Sequence, residues 1–188
     1  MRLFTAIELP DPLLSRLERL TSALRPEALI KWSPLDNLHI TTKFIGEWPE
    51  ARLDELKEVL SRVGPLEPIK LEIGGLGWFP SERAPRVLWA GVRGGEALTK
   101  HARSVEQHLE PLGIAAESRP FSPHLTLARI KNPVPLDALR RKVNELGPAF
   151  IGEFTLVHFA LFRSQAGSNA SIYSKLQEYK MERALAAS

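Results

Sequence analysis

The chain contains no cysteine, which excludes disulfides, thiolate metal sites and a cysteine nucleophile together. It has no long apolar run. Its richest stretches, such as Phe159 to Phe162, fall far short of the roughly 20 residues that span a bilayer. The opening Met1-Arg2-Leu3-Phe4-Thr5-Ala6-Ile7-Glu8 is too short, and meets a charge too soon, for a secretory signal. It reads as a first strand, and the cytoplasm is the expected compartment. Charge of one sign is not in large excess: the formal net charge is +3, a mild basic balance that many unrelated proteins share. No cluster of paired carboxylates points to a metal. What is present is ordinary for a globular protein: 188 residues, 44% hydrophobic and 25% charged, enough for one compact domain with a good core.

The chain is written twice. Leu53, Leu56, Leu60 and Val63 mark one face of an amphipathic helix, and Leu136, Leu139, Val143 and Leu146 repeat that face further on. Each helix has a proline near its start, Pro49 or Pro135, and a Gly-Pro stop at its end, Gly64-Pro65 or Gly147-Pro148. Upstream, the strand Arg2 to Ile7 aligns with Arg86 to Gly91. A helix with Leu13, Leu17, Leu20 and Leu24 aligns with one carrying Leu98, Ala102, Val105 and Leu109. Asp11 is read as the cap of the first of these, with Pro12 as its first helical residue. Each half thus reads strand, helix, strand, helix, strand, with final strands at 69–79 and 150–163 and an extra strand at 171–181.

This order predicts an α+β fold: one domain over 1–188, with two pseudo-symmetric lobes of mostly antiparallel sheet, helices on the outer faces and a cleft between. The lobes are expected at about 1–84 and about 85–182, given the short joint Ser81-Glu82-Arg83-Ala84-Pro85.

Both halves carry the pattern H-x-T on a strand: His39-Ile40-Thr41 and His124-Leu125-Thr126. Residues two apart on a strand share a face. His39 and Thr41 therefore point one way, and Ile40, Thr42 and Phe44 are expected in the core. His124 and Thr126 are likewise opposed to Leu125 and Leu127. Two histidines facing one cleft suit displacement at phosphorus, which needs a base for the entering oxygen and an acid for the leaving one. Imidazole can fill either role near neutral pH, and the threonine hydroxyls can donate to the non-bridging oxygens. Among five histidines, two accidental matches are expected in about 1–2% of such chains, so the pair is read as a site. His101 and His108, seven apart on one helix, are read as solvated. His158 is read as structural, and Arg140-Arg141-Lys142 as a solvated face. Asp36, Glu47 or the nearby backbone could orient the imidazoles.

At these residues the chain resembles the RNA 2′,3′-cyclic phosphodiesterase family, also called 2′-5′ RNA ligases, within the two-histidine phosphoesterase superfamily. The resemblance runs over nearly the whole chain. It includes the strand Arg2-Leu3-Phe4-Thr5-Ala6-Ile7, His39 to Gly46, Pro85 to Trp89, Phe121-Ser122-Pro123-His124-Leu125-Thr126-Leu127-Ala128-Arg129, and the late Leu161, Ser164, Gly167 and Tyr173. It implies hydrolysis of a ribose 2′,3′-cyclic phosphate at an RNA end to a 2′-phosphate, with no cofactor and no metal; separately, a monomer is expected. Related chemistry could join RNA ends through a 2′-5′ linkage. By analogy His39 is the proton donor and His124 the proton acceptor; the residues alone leave that choice open. Two further substrate-binding residues are implied. Arg129 resembles an arginine that approaches the phosphate, which requires the strand to end or bulge before it. Phe79 resembles an aromatic near the cleft on which a base could stack. Thr42 departs from the family's usual apolar residue there and needs a partner if it is buried. The rival readings are a binding module for RNA ends or nucleotides without chemistry, and an esterase for a small cyclic nucleotide.

Overall fold

The computed structural model describes residues 1–63 and 67–181. The first Gly-Pro stop, at residues 64–65, lies outside the described residues. The strands are β1 (Arg2–Glu8), β2 (Lys31–Trp32), β3 (His39–Glu47), β4 (Ile69–Phe79), β5 (Val87–Arg93), β6 (His124–Arg129), β7 (Phe150–Leu156), β8 (His158–Gln165) and β9 (Ile172–Lys180). The helices are α1 (Asp11–Leu24), α2 (Leu53–Ser61), α3 (Gly95–Leu109) and α4 (Asp137–Leu146). The amphipathic stripes emerge as read: Leu13, Leu17 and Leu24, Leu56 and Leu60, and Leu139 and Val143 are all buried. The second stop works through Gly147. It holds φ at +58° and returns its N–H to Val143 and Asn144, a backbone shape that only glycine takes cheaply.

Three local expectations are corrected. α1 is capped by Pro10, whose extended backbone accepts from the Leu13 and Leu14 amides, and Asp11 is already helical. The expected strand over 150–163 is two strands, broken at Val157, because its first part pairs with β4 and its second with β1. No Gly or Pro stands at Val157 to mark the corner. His101 is fully buried, set among Leu98, Ala102 and Val105 on the inner stripe of α3, with its ring edge-on to Phe159 at 4.9 Å.

The strands among the described residues form one antiparallel sheet in the order β7-β4-β5-β6-β3-β1-β8-β9, with β2 set beside β6. The lobes are not the sequence halves. β4, from the first half, pairs with β5 and β7, whereas β8 and β9 extend from β1. The helices also exchange: α1 rests on β7 and α4, while α2 and α3 pack together beside β9 and β3. One approximate two-fold axis between β3 and β6 relates the two groups; the first half lends α1 and β4 to the other group, and the second lends α3, β8 and β9. The division at residue 84/85 is therefore corrected: each lobe draws on both halves, because a strand finds the sheet edge that buries it and not the nearest one in sequence.

The simple alternation expected along β3 fails at Thr42. The pairing with β1 steps from Ala6↔Thr41 to Thr5↔Lys43, leaving Thr42 as the extra residue of a bulge. Thr42 and Lys43 are both buried, and Phe44 turns outward at 60% exposure, a correction to its expected place in the core. The buried Thr42 hydroxyl has the partner it requires in Thr5 Oγ1, 2.7 Å away. Thr42→Val should therefore cost about 1–3 kcal/mol, because it orphans the Thr5 hydroxyl. Thr5→Val added to it should recover most of that loss in urea melts.

Candidate active site

β3 and β6 are neighbours at the middle of the sheet yet pair only at Ile40↔Leu125. Directly opposed residues share a face. Ile40 and Leu125 are both fully buried, so His39, Thr41, His124 and Thr126 project from the other face into one cleft. That cleft has a volume of about 620 Å³ and is lined by all four of them. Where the two strands splay apart, the short β2 runs beside β6. Ser33 completes that contact, its hydroxyl donating to the Thr126 carbonyl at 2.8 Å.

Both imidazoles are oriented by backbone. His39 Nδ1 lies 2.7 Å from the Asn37 carbonyl, and His124 Nδ1 lies 2.8 Å from the Ser122 carbonyl. A carbonyl can only accept, so each ring carries its proton on Nδ1 and turns Nε2 to the cleft. The same device, two residues back from each histidine, appears in both halves. Neither Asp36 nor Glu47 is needed for it. Thr41 Oγ1 lies 3.1 Å from His39 Nε2 and donates to it while the ring is neutral.

The two histidines differ in their surroundings. His39 is flanked by Phe4 at 4.9 Å and by the edge of Tyr173 at 5.1 Å, whereas His124 meets Phe79 edge-on at 5.0 Å. Burial lowers the His39 pKa to about 4. The Asn37 carbonyl opposes this, and the charges of Arg129 and His124 add to the lowering. In the free protein His39 is therefore neutral at pH 7.

β6 carries the twin of the β3 bulge. The pairing with β5 steps from Trp89↔Thr126 to Leu88↔Ala128, leaving Leu127 extra. Leu127 and Ala128 are both buried, and Arg129 is thereby turned back into the cleft. The bulge that this position required is present. By the internal repeat, Phe44 is the counterpart of Arg129, and it too lines the cleft.

A model of the 2′-5′ RNA ligase superfamily matches residues 9–168. The chain belongs to the 2′-5′ RNA ligase superfamily. It is 34% identical over 182 residues to an RNA 2′,3′-cyclic phosphodiesterase of Archaeoglobus fulgidus, covering 96% of this chain and 100% of that one. It is 35% identical over 170 residues to one of Aeropyrum pernix, covering 89% of this chain and 96% of that one. A solved structure from Thermus thermophilus is 32% identical, with a TM-score of 0.81 over 96% of this chain and 98% of that one.

In this superfamily member, five of the six residues singled out from sequence line one cavity: His39, Thr41, His124, Thr126 and Arg129. Phe79 does not line it. Its ring is tilted against Trp89 at 5.1 Å and meets His124 edge-on at 5.0 Å, at the border of the cleft. The sequence reading missed Phe44, Lys31, Lys131 and Asn37, all of which line the cleft. Extending the repeat alignment five residues past each histidine would have found Phe44; no comparable signal marks the lysines. Lys43 was missed as well. It is buried on β3 and donates to Glu106 Oε1 and the Ala115 carbonyl, each at 2.7 Å, tying α3 and the loop after it to the strand that carries His39.

His158, read as structural, lies at 3.7 and 3.9 Å from the Glu8 and Glu178 carboxylates on the β1-β8-β9 surface. This is the one grouping of three metal-capable donors among the described residues. Lys175 Nζ already occupies it, at 2.8 and 3.2 Å from the same two carboxylates. No helix among the described residues is long and apolar enough to cross a membrane.

Proposed function

We propose that this chain hydrolyses the 2′,3′-cyclic phosphate at RNA ends to a 2′-phosphate. The observation that carries the reading is the pair of imidazoles, each with Nδ1 anchored on a backbone carbonyl and Nε2 turned into one cation-lined cleft. The names of the relatives supply the substrate. Water would attack phosphorus in line with the bond to the 3′ oxygen. The new P–O bond forms as His124 Nε2 takes the water proton. The P–O3′ bond breaks as His39 gives the Nε2 proton to the departing oxygen. Thr41 and Thr126 donate to the non-bridging oxygens, whose charge grows in the transition state. A 5′ hydroxyl in place of water would yield a 2′-5′ linkage by the same two proton transfers. No residue in these steps calls on a metal or cofactor.

As proton donor, His39 must be protonated when substrate is bound, although it is neutral in the free protein. The phosphate supplies the remedy, since an anion beside Nε2 favours the imidazolium. His39 should therefore titrate near pH 4 in the free protein and at clearly higher pH with a ribonucleoside 2′-phosphate bound. Imidazole NMR titrations with and without that product check this. An unmoved His39 resonance would remove it from the donor role. The function itself is tested by incubating an oligoribonucleotide ending in a 2′,3′-cyclic phosphate with the protein in EDTA. Quantitative formation of the 2′-phosphate is expected; a 3′-phosphate, or no product from folded protein, overturns the reading.

A further inference from the structure

The cleft has two arms, and they are chemically unlike. β3 and β6 are antiparallel about Ile40↔Leu125, so β3 leaves toward Phe44 as β6 leaves in the opposite direction toward Arg129. The two bulges turn both of these residues into the cleft, at equivalent places in the repeat. On the Phe44 side the wall is an exposed ring beside the buried Phe4, 6.4 Å between centroids, with a single cation, Arg2, beyond it on β1. On the Arg129 side, Lys31 is its strand partner across β2 and Lys131 follows two residues later. All three cations are exposed, and none has a carboxylate partner among the described residues. Among the described residues, no carboxylate lines the cavity.

A nucleotide with a 2′,3′-cyclic phosphate has matching asymmetry. The phosphate bridges one edge of the ribose. C1′, which bears the base, flanks one end of that edge, and C4′, which leads to the upstream phosphodiester, flanks the other. Base and chain thus leave the reacting phosphate in opposite directions. An exposed aromatic face suits a base, because stacking is available to every base. Unpaired Lys and Arg suit successive phosphates.

Resting on the cyclic-phosphate reading, we propose that the two arms divide the RNA end between them. Phe44 stacks on the terminal base, and Lys31, Arg129 and Lys131 receive the phosphates upstream, so the site is built for an oligoribonucleotide rather than a mononucleotide. The polarity has a chemical consequence. The 3′ oxygen lies at the upstream end of the ribose edge, and His39, which precedes Ile40, stands toward the Arg129 arm. Arg129 is also the first of the charges that act on His39. The arrangement puts the proton donor beside the oxygen that leaves and His124 toward the side from which water enters.

The test compares a tetraribonucleotide ending in a 2′,3′-cyclic phosphate with the matching cyclic mononucleotide. The proteins are wild type, Lys31→Ala/Lys131→Ala, Phe44→Ala and Phe44→Tyr, each checked for an unchanged melting temperature. Wild type should favour the tetranucleotide. The double lysine variant should lose on the order of tenfold more kcat/KM on the tetranucleotide than on the mononucleotide, and its log-log salt slope should be shallower by about 1.4. Phe44→Ala should raise KM for both substrates by about tenfold, with most of that restored by Phe44→Tyr. Equal losses on the two substrates, or an unchanged salt slope, would remove the upstream phosphates from the Arg129 arm. An unchanged KM in Phe44→Ala would remove the base from Phe44. Wild type inactive on both substrates would instead sink the cyclic-phosphate reading underneath.

Discussion

His39→Ala and His124→Ala should each lower turnover of an RNA 2′,3′-cyclic phosphate by about 10²–10⁴-fold, with the fold retained. Both rings are partly exposed and each makes one backbone hydrogen bond that a loop carbonyl can replace with water, so loss of structure is not the expected cause of inactivity. Removing both should cost much less than the product of the two losses. Acid and base serve one concerted displacement, and without either partner the other has little left to do. Substrate binding should survive, because the cations and Phe44 remain. The measurement is single-turnover conversion of an end-labelled oligoribonucleotide, alongside its affinity. Undiminished turnover in either single variant would dismiss the two-histidine mechanism. Asn37 and Ser122 offer no parallel test, because they act through main-chain carbonyls that substitution leaves in place.

Acidification should destabilise the protein strongly, and His101 should be one source. Its ring is fully buried against Phe159, neither nitrogen has a partner among the described residues, and burial lowers its pKa to about 4. In the unfolded chain the same group titrates near 6.5. Above that value both states hold a neutral ring and the full stability is present. Between pH 6.5 and 4 the unfolded state takes up a proton that the folded state refuses, so stability falls as pH falls. The loss from this one residue levels off below about pH 4 at about 3 kcal/mol. His39, lowered to about 4 mainly by burial, should add a loss of the same sign over the same window. His101→Leu should leave stability at pH 7 unharmed, since it replaces two orphaned polar atoms with apolar ones of similar volume. It should also remove about 3 kcal/mol of the acid loss. Urea melts of both proteins at pH 7 and pH 4 decide the point. An equal acid loss in the two would show that His101 is not the group responsible.

The failure to place His101 from sequence is instructive. Its seven-residue spacing from His108 correctly put both on α3 and on one side of it. The solvated side, expected for want of a nearby ligand cluster, is the wrong one for His101. Leu98, Ala102 and Val105 surround position 101, and the packing of that stripe carries the imidazole inward with it. Phe44 failed in the opposite direction: alternation assigned it to the core, and a single extra residue at Thr42 inverted the pattern beyond it. The parallel bulge at Leu127 is what returned Arg129 to the cleft. In both strands the residues closest to the histidine obeyed the two-residue rule, and the error began where hydrogen bonds to a neighbouring strand set the register.

What the amino-acid order determined by itself was therefore local or periodic: the four helical stripes, the duplicated element order, and the two H-x-T strands with each histidine beside its threonine. These follow from 3.6- and 2-residue geometry, which needs no knowledge of what lies across the sheet. Only the tertiary structure decided the rest. It exchanged β4 with β8 and α1 with α3 between the lobes, joined β3 to β6 at a single residue pair, placed the bulges, and set an aromatic arm against a cationic one. Those features depend on which strand edges and apolar faces can be buried together. That is a property of the whole packed chain, and no window of sequence contains it.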